Sequence, residues 1–177
     1  MKHNGMRPQD VVILLKLSTI KSDKWRMQDI ATGLQISASE VTESLQRSNL
    51  ARLVSDNKRT IYTTSFLEFL VYGLKYVFPV IPGSVVRGIP TAHSASPLNL
   101  TIVASTTDNY VWADSKGTMR GQAIVPLYKT VPKIALEDQA LYELLALVDA
   151  IRVGKAREVK IAIEELEKRL KGEPPTP

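Results

Sequence analysis

The spacing of apolar residues between Ile30 and Val54 constrains this chain more than any other stretch. Ile30 and Ala31, Leu34, Ile36, Val41, Leu45, Leu50, Leu53 and Val54 recur at intervals that fit two short helices crossing through a tight turn, followed by a β-prone run. Inside it, Ser37-Ala38-Ser39-Glu40 is an S-x-x-E capping box. The Ser37 hydroxyl can accept from the Glu40 backbone N–H, and the Glu40 carboxylate can reach back to the Ser37 N–H. A helix therefore starts at Ala38. Ala31 is small where two helices cross closely. Gln35 stands where the turn commonly has glycine, so Gly33 is expected to supply the backbone freedom.

On the helix that Ser37 opens, Ala38, Val41 and Leu45 point inward, and Ser39, Glu40, Thr42, Glu43, Gln46 and Arg47 face outward. Hydroxyls and amides can contact phosphates or base edges. Glutamine can pair bidentately with adenine, and arginine with guanine or a phosphate. Glu43 repels phosphate; it can accept from cytosine, pair with Arg47 four residues on, or belong to a solvated face. Downstream, Ala51–Val54 and Thr60–Thr63 are β-prone runs around Ser55-Asp56-Asn57-Lys58-Arg59, a hairpin whose tip offers Lys58 and Arg59 to a phosphate backbone. Upstream, Pro8 opens a mostly buried helix with Asp10 in its first turn and an apolar run from Val11 to Leu17. Polar Thr19–Lys24 ends it, and Trp25 is expected to pack ahead of a second helix over Met27–Leu34.

With the pattern I-A-x-x-L-x-I-S-x-x-x-V-x-x-x-L in place, Pro8–Thr63 resembles the winged-helix DNA-binding domain of bacterial regulators of the MarR type. The resemblance implies a dimer that reads a palindromic duplex through its third helices, with flanking helices forming the dimer. The candidate DNA-binding residues are Ser37, Ser39, Thr42, Glu43, Gln46, Arg47, Lys58 and Arg59.

The remaining two thirds resembles no family. Ser65–Tyr76 reads as a helix ending at Gly73 or shortly after. Pro79–Pro97 is dense in proline and glycine and too long for an idle connection. Leu100–Val103, Tyr110–Trp112 and Ala123–Tyr128 are strand candidates, the second followed by a turn over Asp114–Gly117, the third limited by Pro126 to an edge or bulge. Trp112 and Tyr128 are expected packing anchors. Arg87, His93 and Trp112 form a possible partner or effector site. Helices over Leu136–Val153 and Lys155–Lys171 meet at Gly154 as a hairpin. The stripe Val159, Ala162, Ile163, Leu166 and Leu170 suits packing within the chain or against a second copy. The expected fold is mainly α with small β (α+β). It comprises a winged helix-turn-helix domain over 1–64, a connecting helix and irregular β region over 65–136, a helical hairpin over 137–171 and a disordered tail over 172–177.

The inventory narrows the function classes. Zero cysteines, two histidines and no glycine-rich phosphate loop leave no expected catalytic residue, metal site or cofactor, and an enzyme is not expected. No apolar run reaches the ~18 residues of a membrane span, and Met1–Pro8 is too polar for a signal peptide, so no membrane partner and a cytoplasmic location are expected. The basic excess lies early: residues 1–63 hold ten Lys/Arg against six Asp/Glu, while residues 137–177 hold seven against nine. A polyanion would meet the first part. These features point to a sequence-specific, double-stranded-DNA-binding transcription regulator, a homodimeric repressor that occludes a promoter. The alternative is a protein-interaction module, or an antitoxin-like autorepressor that grips a partner protein through its C-terminal part.

Overall fold

A computed structural model describes residues 5–22, 24–102 and 108–172. Helix α1 (Pro8–Ser18) begins where Pro8 needs no N–H partner, and the Asp10 carboxylate accepts from the Arg7 N–H at 2.8 Å. Every residue from Gln9 to Leu15 is buried, so α1 is a core helix. Helix α2 (Met27–Leu34) buries Ile30, Ala31 and Leu34, and α3 (Ala38–Leu50) buries Val41, Ser44, Leu45 and Ser48. Both pack on α1.

The chain then turns back through a hairpin that is less regular than its sequence suggests. Val54 and Ile61 make an isolated antiparallel bridge, and no ladder develops. The Ser55 hydroxyl donates to the Asn57 side chain at 2.6 Å and accepts from the Thr60 N–H at 3.1 Å, while Asn57 also accepts from the Arg59 N–H at 3.0 Å. These short polar side chains satisfy backbone groups that strands would otherwise pair.

The following helix is longer than expected and interrupted. It runs as α4 (Thr63–Glu68), a π-helical turn (Phe69–Gly73) and α5 (Leu74–Val77), so Gly73 does not end it. The proline-rich segment after it is not irregular throughout. It holds strand β1 (Val85–Pro90) and a 3-10 turn over Ala92–Ser94. Strand β1 pairs antiparallel with both β2 (Tyr110–Ala113) and β3 (Met119–Ala123), and the latter two touch in parallel at Tyr110–Gln122 and Val111–Ala123, closing a three-stranded barrel.

Two expected strands fail. Leu98–Leu100 is a 3-10 turn with Leu100 83% exposed, and Leu100–Ile102 pairs with nothing as a strand; Val103 lies outside the described residues. Past Ala123, the alternation required of a strand breaks down, because Ile124 and Leu127 are both buried, three residues apart around Pro126. Strand β3 ends where the expected one begins.

Closure of the barrel depends on glycine. A Cβ at Gly88 would lie 2.1 Å from the Trp112 carbonyl oxygen, one at Gly117 2.1 Å from the Gly88 backbone, and one at Gly121 2.5 Å from the Asn109 carbonyl oxygen. No side chain fits between backbones that close.

A short helix α6 (Val131–Ala135) precedes α7 (Gln139–Val153), whose residues 144–151 are all buried. Helix α7 begins at Asp138, which accepts from the Leu141 N–H at 3.0 Å and pairs with Lys16 of α1 at 2.6 Å. Gly154 ends it, and α8 (Ala156–Lys171) folds back along it, with Gly172 in a left-handed cap. The stripe of α8 packs inside the chain, with Ala162 and Leu166 fully buried. The expected tail from Glu173 onward lies outside the described residues. One continuous apolar cluster, from Val11 to Leu166, joins all three parts of the sequence around α7.

Candidate nucleic-acid interface

The turn between α2 and α3 is built on Gln35, which adopts φ 54° and ψ 46° and sends its N–H to Thr32 at 3.2 Å. Gln35 itself takes the left-handed conformation that glycine commonly supplies. The expected role for Gly33 is corrected, since Gly33 lies within α2 and has no positive φ. Ile36 donates to the Ala31 carbonyl at 3.0 Å and closes the turn.

Ser37 then caps α3 reciprocally. Its hydroxyl accepts from the Glu40 N–H at 3.2 Å, and Glu40 accepts from the Ser37 N–H at 2.9 Å. Glu40 also accepts from the Ser37 hydroxyl, from Gln9 of α1 at 3.0 Å and from the Tyr128 hydroxyl at 2.9 Å. The Ser37 backbone and these side-chain donors together hold its carboxyl down at about 2. The start of α3 is thus fixed to α1 and to a residue 88 positions away.

Along α3, Ser39, Thr42, Glu43 and Gln46 are exposed and share one outward stripe, which continues to Leu50, 65% exposed. The Thr42 hydroxyl donates to the Ala38 carbonyl at 3.0 Å. Arg47 does not belong to this stripe. Its Nε and Nη2 donate to the two carboxylate oxygens of the buried Asp10 at 2.9 and 2.7 Å, and its side chain is only 10% exposed. The outward placement expected for Arg47 is corrected, because the helical turn brings it to the edge beside α1, where a buried carboxylate needs a cation. The Asp10 hydrogen bonds raise the Arg47 pKa further. Glu43, with its carboxylate 3.7 Å from Arg47, makes the i,i+4 pair that its spacing allows.

The hairpin tip divides in the same way. Lys58, at φ 58°, has no ionic partner among the described residues. Arg59 donates through Nη1 to the Trp25 carbonyl at 2.6 Å, and its guanidinium lies 4.5 Å from the centre of the Trp25 ring. Arg59 is exposed, and this contact ties the hairpin to the segment before α2. Trp25 is buried, as expected of a packing residue.

No family model, curated protein or solved structure matches the chain.

Two further cations, absent from the expected set, lie near the ends of α3 in the chain or through a neighbour. Lys129 is exposed and follows Tyr128, whose hydroxyl reaches Glu40 at the start of α3, and Arg52 is exposed one residue beyond the α3 cap. No local pattern announces Lys129, because its placement comes from a long-range contact.

The second group of candidates separates. Trp112 is 1% exposed, and its indole N–H donates to Asp149 at 2.7 Å. Asp149 also accepts from the Thr91 hydroxyl at 2.9 Å and from Arg152 at 2.8 Å. Burial pushes the Asp149 carboxyl up, and its bonds to Arg152, Trp112 and Thr91 pull it back. His93 is 3% exposed; its Nε2 faces the Asp108 carbonyl at 2.9 Å, a donor's position, and its Nδ1 lies 3.5 Å from a Glu158 carboxylate oxygen. The effector role expected of Trp112 and His93 is corrected, since both are walled into the core. Arg87 alone of the three is exposed. Among the described residues no group of acidic or histidine side chains is arranged to hold a metal, and no helix is long and apolar enough to cross a membrane.

Proposed function

We propose that the chain is a sequence-specific duplex-DNA-binding regulator of winged helix-turn-helix type, in which α3 enters the major groove and the 53–62 hairpin lies on the flanking backbone. The observation that carries this reading is the uncovered stripe Ser39, Thr42 and Gln46 on a helix fixed by its own capping box, by Gln9 and by Tyr128. Glu43 shares the stripe and is paired with Arg47. The stripe offers hydroxyls and an amide that can donate or accept at base edges. Glu40 does not oppose a phosphate freely, because its carboxylate is surrounded by donors. Lys58 on the hairpin, Arg52 just past α3 and Lys129 beside Tyr128 are the cations this reading assigns to the flanking phosphates. Two cytoplasmic copies bind a palindrome, as the family resemblance implies, and repress by occluding a promoter.

The decisive experiment is selection of bound genomic fragments followed by variants. A palindrome with half-sites about one DNA turn apart is expected. Gln46→Ala should cost about 1–3 kcal/mol at one base pair and relax preference there. Unchanged preference in Gln46→Ala, Ser39→Ala and Thr42→Ala would overturn the reading.

A second reading has one specific observation in its favour. Tyr72, Tyr76, Val77 and Ile81 are 75%, 72%, 51% and 87% exposed along and just after the π-interrupted helix, an apolar surface suited to a protein partner. A stoichiometric partner that co-purifies with the chain and is lost in Tyr72→Ser/Tyr76→Ser, together with no duplex affinity, would favour that interaction module instead.

A further inference from the structure

Arg87 on β1 and Arg120 on β3 are direct partners in the antiparallel register, and both are exposed. Like charges placed opposite each other across strands are destabilising. Relief by a carboxylate is absent: among the described residues the ion-paired arginines are Arg47, Arg152 and Arg169, and Arg87 and Arg120 are not of their number.

The barrel dictates this juxtaposition. Arg87 precedes Gly88 and Arg120 precedes Gly121, the two strand glycines at which backbones approach too closely for any Cβ. In each strand the glycine is buried and the arginine just before it is exposed. The strands hold their Cα atoms at opposed register positions, so two five-donor side chains leave the sheet from neighbouring points. Lys116 is also exposed, on the turn whose Gly117 packs against the Gly88 backbone. Asp114, the acid nearest Arg120 in sequence, accepts from the Lys116 N–H and is in no ion pair with either arginine.

We propose that Arg87 and Arg120 form a phosphate-binding site on the outside of the barrel. Paired guanidinium forks match the oxygens of a phosphate group, and an anion between them converts their repulsion into attraction. The phosphate comes either from a nucleic-acid backbone or from a small phosphorylated ligand. The site does not depend on the reading of α3.

Two titrations test it on the full chain. In the first, binding of a labelled duplex is followed against salt. Arg87→Ala/Arg120→Ala should flatten the slope of log affinity against log salt by ~2 and leave base preference unchanged, which identifies the backbone as the source. In the second, inorganic phosphate is added while the arginine Nε–H resonances are recorded. Saturable shifts of both, lost in the double alanine variant, identify a small phosphate. Arg87→Lys/Arg120→Lys should restore the salt slope, because it keeps the charge; a slope that stays flat marks a folding effect and overturns the proposal. An unaltered slope together with unmoved resonances also overturns it, as does a wild-type chain that binds neither probe. Should the α3 variants bind like wild type while the arginine variants do not, the α3 reading fails and the barrel site stands.

Discussion

Arg47 and Asp10 form a two-pronged ion pair that joins the last turn of α3 to the first turn of α1, with Asp10 wholly buried and Arg47 nearly so. Asp10 uses one of the same oxygens to accept the Arg7 N–H, so a single carboxylate starts one helix and anchors another. Removing the cation leaves a buried charge without its partner. Arg47→Met is therefore expected to cost about 3–5 kcal/mol, read as a lower urea midpoint with an unchanged slope. The base preference of the folded variant should match wild type. Lost preference at one base pair with full stability would return Arg47 to the reading surface.

Glu40 gives the pH dependence a definite sign. Its folded carboxyl is held at about 2, below the ordinary 4.5, so the charged form is favoured in the folded state. The stability it contributes is fully present above 4.5 and is lost as pH falls toward 2. Urea midpoints measured from neutral pH downward should fall in this window more steeply for wild type than for Glu40→Gln. Parallel curves for the two proteins would contradict the donor arrangement around Glu40.

How much of this was legible in the sequence depends on how far each contact reaches. The start of α3 follows from Ser37 and Glu40 because a capping box is complete within four residues. The bounds of α1 and α2 follow from Pro8 and from local periodicity. Arg47 misleads for the opposite reason: helical spacing places it at the edge of the apolar face, and only Asp10, 37 residues earlier, decides which way it turns. Arg59 is settled likewise by Trp25, 34 residues away. Strand β1 is hidden among prolines and glycines because its partners lie beyond it in sequence, and its one glycine, Gly88, is among those that let the barrel close. The stripe Ser39, Thr42 and Gln46 was legible, since outward positions on a capped helix need no partner to be identified.

The barrel offers the severest single-methyl test. An added Cβ at Gly88 meets the Trp112 carbonyl at 2.1 Å, and that backbone is fixed from below by the indole bond to Asp149. Gly88→Ala is expected to cost about 3 kcal/mol or more and to speed hydrogen exchange across β1 and β2. Gly33→Ala is the control: the added Cβ meets only the flexible end of Lys16, at 3.4 Å, and removing glycine from a helix interior should stabilise slightly. Equal effects at the two positions would refute the close approach.

Asp149 sustains three donors in the core, so its removal should act well beyond its own volume. Asp149→Ala strands the Trp112 indole N–H and the Thr91 hydroxyl, while Arg152 keeps only the Phe78 and Val125 carbonyls, at 3.0 and 3.3 Å. A loss of about 3–5 kcal/mol is expected. Trp112→Phe, which removes one donor and leaves the acid paired with Arg152 and Thr91, should cost less. Thermal melts of both variants, with near-ultraviolet circular dichroism to follow the Trp112 environment in Asp149→Ala, check this order; the reverse order would mean that the aromatic ring, not the carboxylate, holds β2 to α7.

Lys58 and Arg59 are adjacent and equally basic, yet they should behave differently. Arg59 is committed to Trp25 by a hydrogen bond and by stacking, so Arg59→Ala should lower stability by about 1–2 kcal/mol and raise the solvent exposure of Trp25, seen as a red shift and stronger quenching by iodide. Lys58 has no such commitment but occupies a left-handed backbone, where alanine would add strain of its own. Lys58→Asn removes the charge and tolerates that conformation. It should leave stability unchanged and, if the hairpin meets a duplex backbone, reduce the salt slope by ~1 without touching base preference. Identical salt slopes for Lys58→Asn and wild type would remove the hairpin tip from the interface, and a stability loss confined to Arg59→Ala would still show that the second of the two cations serves the fold.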